Sequence, residues 1–100
     1  MSDVWRAMAA VIERDGFDVS SQVGRMGHGM GLGMPEPPSV NAPDHTVIEP
    51  GMILNIEPSL AYVAPEDSRR KVMLHEENVA VTDEGCELLT WRAPVEIPVI

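Results

Sequence analysis

The apolar positions near the start of the chain repeat with the period of a helix. They are spaced i, i+4, i+7 and i+8 and so lie on one helical face: Val4, Met8, Val11 and Ile12. Ser2 or Asp3 is a suitable N-cap, because either side chain can accept a hydrogen bond from a free backbone N–H of the first turn. Gly16 is typical of the residue that follows a helix. The pattern therefore predicts an amphipathic helix over residues 2–15.

The pattern changes to that of β-strands after Gly51. Three segments are rich in apolar and β-branched residues and are separated by polar turns at 64–68 and 83–85: residues 52–63, 71–82 and 86–91. Residues 17–23 alternate weakly between apolar and polar, which predicts one further short strand. The C-terminal half of the chain is therefore predicted to be mainly antiparallel sheet.

The middle of the chain is rich in glycine and proline. Five of the ten residues 24–33 are glycine, and three of residues 35–38 are proline. Glycine marks backbone that turns or approaches another group closely, and proline removes a backbone donor and fixes the chain in a non-helical form. The sequence predicts that this middle region is loop.

Composition narrows the class of protein. One hundred residues make one small domain, residues 1–100, with a modest core. The net charge of −9 repels nucleic acid and anionic membranes, which argues against both as partners. The apolar stretches are shorter than the roughly 20 residues of a membrane span, and the N-terminus does not resemble a signal peptide. We therefore expect a cytoplasmic protein, in which the lone Cys86 forms no internal disulfide and no cysteine zinc cluster.

The register of the predicted hairpin brings two acidic residues together. A register centred between Glu66 and Asp67 sets Glu57 opposite Glu76. Like charges that lie directly opposite destabilise a sheet, by up to about 1 kcal/mol. A cation between the carboxylates would remove that penalty, and the imidazole of His28 would complete a set of nitrogen and oxygen ligands. The sequence therefore predicts a divalent metal site at His28, Glu57 and Glu76.

Other motifs suggested by the same residues are incomplete. The glycine run lacks the Gly-Lys-Ser/Thr of a phosphate loop and the third glycine of a dinucleotide fingerprint. His75 and Glu76 begin like the helical zinc-protease motif, but Val79 stands where its second histidine belongs. These nucleotide and zinc-protease hypotheses are rejected.

Three segments of the chain occur in the order of known motifs: residues 27–38, 48–58 and 76–90. In this order they resemble the pita-bread metallohydrolases, a family that includes aminopeptidase P, prolidase, methionine aminopeptidase and creatinase. Gly-His-Gly-Met-Gly-Leu at 27–32, followed by Glu-Pro-Pro at 36–38, resembles the family's Gly-His-Gly-Ile-Gly-Leu…Glu-Pro-Pro. Residues 48–58 resemble its Glu-Pro-Gly-Met-Val-Leu-Thr-Ile-Glu-Pro strand. Residues 76–82 and 85–90 resemble its final Glu-Asp-Thr-Val-Leu-Val-Thr…Gly-Cys-Glu-Val-Leu-Thr segment. The resemblance covers about residues 20–92.

The resemblance implies a fold and a site. The fold is α+β, the C-terminal half of a pita-bread fold with one N-terminal helix and an antiparallel sheet. His28, Glu57 and Glu76 correspond to three of the five protein ligands of a dinuclear centre, in which Glu76 bridges the two ions. Two such ions activate a shared water for attack on a carbonyl, with His28 and Glu57 as catalytic residues and Glu57 also passing on the proton. Manganese is the favoured metal, with cobalt, zinc or iron as alternatives.

The resemblance also implies a substrate class and an assembly. It indicates an Xaa-Pro aminopeptidase or dipeptidase-like hydrolase that acts on short peptides or other small molecules, as a homodimer in the full-length protein. The family's other two ligands are aspartates from an upstream strand pair that starts Asp-x-Gly, and no such pattern precedes His28. We therefore expect a partial catalytic domain whose upstream half is absent and which is inactive alone.

A second departure leaves the substrate open. Pro35 stands where peptidases of this family usually carry a histidine that binds and polarises the peptide. Relatives that act on small osmolytes, such as dimethylsulfoniopropionate lyases and ectoine hydrolases, also lack that histidine. A small-osmolyte hydrolase or lyase, and a catalytically inactive fragment or binding protein, remain as alternatives.

Overall fold

The structure, a computed structural model, describes residues 1–19, 24–92 and 94–96. One helix lies against one face of a five-stranded sheet, and a two-stranded sheet continues from two of its strands. The elements in chain order are α1 (Ser2–Arg14), β1 (Gly27–Met30), β2 (Glu36–Ser39), β3 (Ile53–Ile56), β4 (Ser59–Val63), β5 (Arg70–Leu74), β6 (Glu77–Thr82) and β7 (Gly85–Leu88).

The start of α1 differs from the prediction. Met1 is the N-cap and no side chain caps the helix, so neither Ser2 nor Asp3 has the predicted role. Instead, the backbone nitrogen of Ser2 donates to the Asp44 carbonyl at 2.7 Å, and the Met1 nitrogen donates to the Thr46 carbonyl at 2.7 Å. A loop distant in sequence therefore satisfies one free backbone donor of the first helical turn and the terminal amine.

The rest of α1 largely follows the predicted pattern. Ala9 and Ile12 are buried on the inner face, whereas the Val11 side chain is exposed. Gly16 has a φ of +87°, a conformation that glycine adopts without strain after a helix end. The predicted amphipathic helix is confirmed, with a narrower apolar stripe than expected.

The prediction of loop for the glycine- and proline-rich middle is wrong in part, because β1 and β2 lie there. A Cβ atom at Gly27 would collide with the carbonyl oxygen of Asn55, and one at Gly29 with the carbonyl oxygen of Pro37. The glycines therefore permit close packing of strands. β2 lies at the edge of the sheet, where its prolines need not donate to a further strand.

The two long predicted strands are each divided in the structure. Residues 52–63 form β3 and β4, and residues 71–82 form β5 and β6. The division falls at Pro58, which has no N–H to donate, although its carbonyl still accepts from the His75 nitrogen at 3.1 Å. The outer part of the hairpin thus becomes the separate β4–β5 sheet.

The predicted strands at residues 86–91 and 17–23 differ from the structure. β7 begins at Gly85 and ends at Leu88, so the predicted strand 86–91 is too long, and Trp91 is fully exposed. Residues 17–19 do not form the predicted strand, and residues 20–23 lie outside the described part of the chain.

The five-stranded sheet has the order β2-β1-β3-β6-β7, and every neighbouring pair is antiparallel. Its apolar face packs with α1 around a buried cluster: Met1, Ala9, Ile12, Met26, Val40, Leu54 and Leu60. Within the described residues, no helix has the length and apolar character needed to cross a membrane.

Candidate metal centre

A row of polar side chains crosses the centre of the sheet. His28 on β1 is paired with Asn55 on β3, which is paired with Asn78 on β6. The adjacent residues Leu54 and Val79 pack with the core beneath α1. Because successive side chains of a strand point to opposite faces, the polar row lies on the face away from the helix.

His28 is held in an orientation suited to a ligand. Its ring is buried, and Nδ1 lies 2.9 Å from the carbonyl oxygen of Gly29. A carbonyl can only accept, so in the neutral ring Nδ1 carries the proton and Nε2 keeps a free lone pair. Metal-binding histidines are commonly fixed in this way, by a backbone carbonyl on the other ring nitrogen.

Glu57 directly follows β3 and faces that lone pair. Its backbone nitrogen donates to Met26 at 2.9 Å, and its Oε1 lies 3.8 Å from His28 Nε2. The side chains of His28 and Glu57 are 8% and 20% exposed, so both are largely removed from solvent. Two metal–ligand bonds sum to about 4.2 Å, which exceeds the separation of these two atoms. The pair therefore fits one divalent ion.

The polar row contains one buried acceptor without a donor. Asn55 Nδ2 donates to Asn78 Oδ1 at 3.1 Å, whereas Asn55 Oδ1 is buried and has no hydrogen-bond partner among the described residues. Buried polar atoms in native proteins nearly always have a partner, which can be a water or an ion. This oxygen, next to His28 in the sheet, supports the presence of a polar ligand on this face.

Glu76 has the predicted position opposite Glu57, but its side chain is not grouped with those of His28 and Glu57. Ile56 pairs with Glu77 on one side of the strand break, and Ser59 pairs with Leu74 on the other. Continuing this one-to-one pairing through the break sets Glu57 opposite Glu76. The predicted register is thus confirmed. The Glu76 side chain is exposed, and within residues 1–19, 24–92 and 94–96 no three His, Cys, Asp or Glu side chains are grouped to hold a metal.

The structure therefore brings together two of the three predicted ligands. The carboxylates of Glu57 and Glu76 repel each other when no cation lies between them. Glu76 also lies in the break between β5 and β6, where an exposed side chain is free to turn to solvent.

Two polar residues near the predicted ligands, Arg25 and Glu77, were not found from the sequence. Arg25 Nε lies 3.7 Å from Glu57 Oε1. Glu77, the neighbour of the predicted ligand Glu76, accepts from Thr90 Oγ1 at 2.6 Å and lies 3.3 Å from His75 Nε2. These contacts depend on the fold. The Asn55–Asn78 pair, in contrast, follows from the register that pairs Glu57 with Glu76, and both positions carry threonine in the motifs described above.

The chain is similar in sequence to known metallopeptidases. The model of Metallopeptidase family M24 matches residues 1–83. Methionine aminopeptidase of Escherichia coli strain K12 is 30% identical over 116 residues, which cover 100% of this chain and 43% of that protein. The corresponding enzyme of Salmonella typhimurium strain LT2 is 33% identical, over 94% of this chain and 41% of that protein. The chain thus spans less than half the length of these curated relatives.

Solved structures of a dipeptidase and a prolidase superpose well on this chain. An Xaa-Pro dipeptidase from Bacillus anthracis superposes with a TM-score of 0.81 at 27% identity, covering 99% of this chain and 26% of that chain. The prolidase from Pyrococcus furiosus gives a TM-score of 0.79 at 26% identity, covering 93% of this chain and 26% of that chain.

Proposed function

The chain belongs to metallopeptidase family M24, and on that premise we propose that it supplies part of the metal-dependent active site of an aminopeptidase or Xaa-Pro dipeptidase. Its fold is the predicted one, α+β with one helix and antiparallel sheets, as in the C-terminal half of a pita-bread fold. The observation that carries the proposal is the 3.8 Å approach of His28 Nε2 and Glu57 Oε1 on the polar face of the sheet.

In this proposal, His28 and Glu57 hold a divalent ion, and Glu76 joins them from across the strand pair. The register supports the third ligand, because it sets Glu76 against Glu57. A ligand set rich in carboxylates favours manganese, and a second ion requires further ligands, which we propose come from elsewhere in the complete site. When bound, such ions activate a water and polarise a carbonyl.

The chain's own residues supply orientation and proton transfer. The Gly29 carbonyl fixes the His28 ring so that Nε2 faces the site. Glu57 is positioned at the end of a rigid strand, and its carboxylate can accept a proton and pass it on. Without a side chain, Gly29 lets β1 approach the backbone of β2 closely, and His28 beside it is buried.

We propose a peptide as the substrate of the complete enzyme. Names of the similar proteins indicate peptides, and we extend this to a short peptide with a free amino end. Pro35 favours a second candidate, a small-osmolyte hydrolase or lyase, because proline at this exposed position cannot donate a hydrogen bond to a peptide carbonyl.

Metal binding by the 100-residue chain tests the proposal. We would titrate Mn²⁺ into the wild type, His28→Ala and Glu57→Gln by calorimetry, with Glu84→Gln in the exposed β6–β7 turn as the matched loss of one carboxylate. We expect weak binding by the wild type and the Glu84 variant, and at least tenfold weaker binding by the other two. Equal binding by all four proteins would contradict the proposal.

A further inference from the structure

We propose that Arg25 is a positioning residue, which holds the carboxylate of Glu57 toward His28 and so prepares the metal site. The inference rests on the proposed role of His28 and Glu57 as ligands. Arg25 lies outside the three predicted ligands, and it precedes β1 by two positions.

The guanidinium of Arg25 connects three parts of the fold. Its Nε lies 3.7 Å from Glu57 Oε1, directly after β3. Its Nη1 donates to Ser39 Oγ, at the end of β2, at 3.5 Å. The Arg25 side chain is 32% exposed, so the ion pair with the 20% exposed Glu57 is partly shielded from water. A planar group with several donors is well suited to fix two such partners at once.

The Arg25 guanidinium and the His28 imidazole approach the same carboxylate oxygen of Glu57. Glu57 Oε1 is 3.7 Å from Arg25 Nε and 3.8 Å from His28 Nε2. The side chain of a glutamate otherwise has considerable rotational freedom, and ordering it opposes binding. Arg25 therefore selects the rotamers that direct the carboxylate into the site before any ion binds.

Arg25 has two opposing effects on a divalent ion. Its positive charge repels the ion, whereas its contact with Glu57 orders a ligand. Residues that do not touch the metal but hold a ligating side chain in place are important, because mutating them typically lowers metal affinity or activity ten- to hundredfold. Salt screens both effects, with a Debye length of about 10 Å at 0.1 M and about 3 Å at 1 M, but it weakens the short, partly buried contact of Arg25 with Glu57 less than it weakens interactions between exposed charges. We infer that the ordering effect is the larger one, and that it persists at high salt.

The test compares Mn²⁺ affinity among arginine variants of the 100-residue chain, measured from the electron paramagnetic resonance signal of free Mn²⁺. Arg25→Met should bind at least tenfold more weakly than the wild type at both 0.1 M and 1 M salt, and Arg25→Lys should recover part of the loss. Arg6→Met, which removes the same charge from the exposed outer side of α1, should bind as the wild type does.

A second readout needs no metal. Three-bond couplings in Glu57 should report one dominant side-chain rotamer in the wild type and averaged rotamers in Arg25→Met. If Arg25→Met does not fold, Ser39→Ala serves instead, because it retains Arg25 and removes only its second contact; we expect a several-fold loss of affinity.

The outcomes separate the two proposals. Wild-type binding together with equal or tighter binding by Arg25→Met would overturn the role of Arg25 and leave the proposed function standing. Failure of the wild type to bind Mn²⁺ at all would overturn both.

Discussion

At the scale of single residues, the site depends on groups that fix one another. His28 is oriented by a backbone carbonyl, Glu57 lies between His28 and Arg25, and Asn55 is held by Asn78. The sequence predicted His28 and Glu57 because residue type and motif order carry that information. It did not predict Arg25, because an ion pair between a loop and a strand end is set by the fold.

The asparagine pair leads to a prediction about stability. Asn78→Ala removes the acceptor of Asn55 Nδ2, and the other polar atom of this buried amide already lacks a partner. An unsatisfied buried polar group costs about 1–3 kcal/mol, so we expect the free energy of unfolding in urea to fall by that amount. Glu87→Ala, on the exposed β7, is the control and should change it by about 0.5 kcal/mol or less. Equal effects of the two changes would contradict the assignment.

At the scale of elements, the register of the hairpin was predictable and the strand boundaries were not. Side chains alternate strictly along a strand, so one turn position fixes every later pair, including Glu57 with Glu76. β1 and β2 were missed because glycine and proline are unfavourable in strands taken alone, and only the close approach of neighbouring backbone explains them.

Two glycines of the same run should differ in their tolerance of a side chain. In Gly29→Ala, the new methyl group would collide with the rigid backbone carbonyl of Pro37. In Gly33→Ala, the nearest atom is the carboxylate end of Glu36 at 3.3 Å, which can move. We expect Gly29→Ala to destabilise the chain by about 1–3 kcal/mol and Gly33→Ala to have a much smaller effect. Thermal unfolding of both variants tests this, and a reversed order would refute the close-packing explanation.

The loop at residues 44–46, which accepts hydrogen bonds from the start of α1, should make the free energy of unfolding depend on pH. Hydrogen bonds from the Thr46 side chain and backbone, and then from the Ser39 backbone, lower the pKa of Asp44 to about 2. The folded pKa is thus below the ordinary value of 3.8, so this contribution is present above about pH 4 and is lost as the pH falls through about 2.

Asp44→Asn tests that contribution. We expect the urea midpoint of the wild type to fall more steeply between pH 4 and pH 2 than that of the variant, because the variant carries no titrating group at this position. The same change in midpoint for both proteins across this window would show that the Asp44 hydrogen bonds do not stabilise the loop.

At the scale of the whole molecule, the chain presents a polar face on which two of the proposed ligands lie together and the third is in register with them. The fold class was predictable because three motifs occur in family order. The division into two sheets was not, because it depends on the interruption of the strands at Pro58. The chain covers 43% of the methionine aminopeptidase relative, and the activity of the complete protein is therefore a proposal.

We expect the 100-residue chain alone not to hydrolyse Xaa-Pro dipeptides in the presence of Mn²⁺. His28, Glu57 and Glu76 carry too little negative charge to hold two divalent ions close together. A discontinuous assay with two Xaa-Pro dipeptides tests this, and catalytic turnover that is lost in Glu57→Gln would prove the expectation wrong.

Nuclear magnetic resonance can show directly where a bound ion lies on this chain. Substoichiometric Mn²⁺ broadens the signals of nuclei close to it. We predict that the His28 ring and the amides of Glu57 and Glu76 broaden first, while signals from the outer side of α1 stay sharp. Broadening confined to the acidic turns at residues 66–67 and 83–84, with His28 unaffected, would contradict the proposed metal centre.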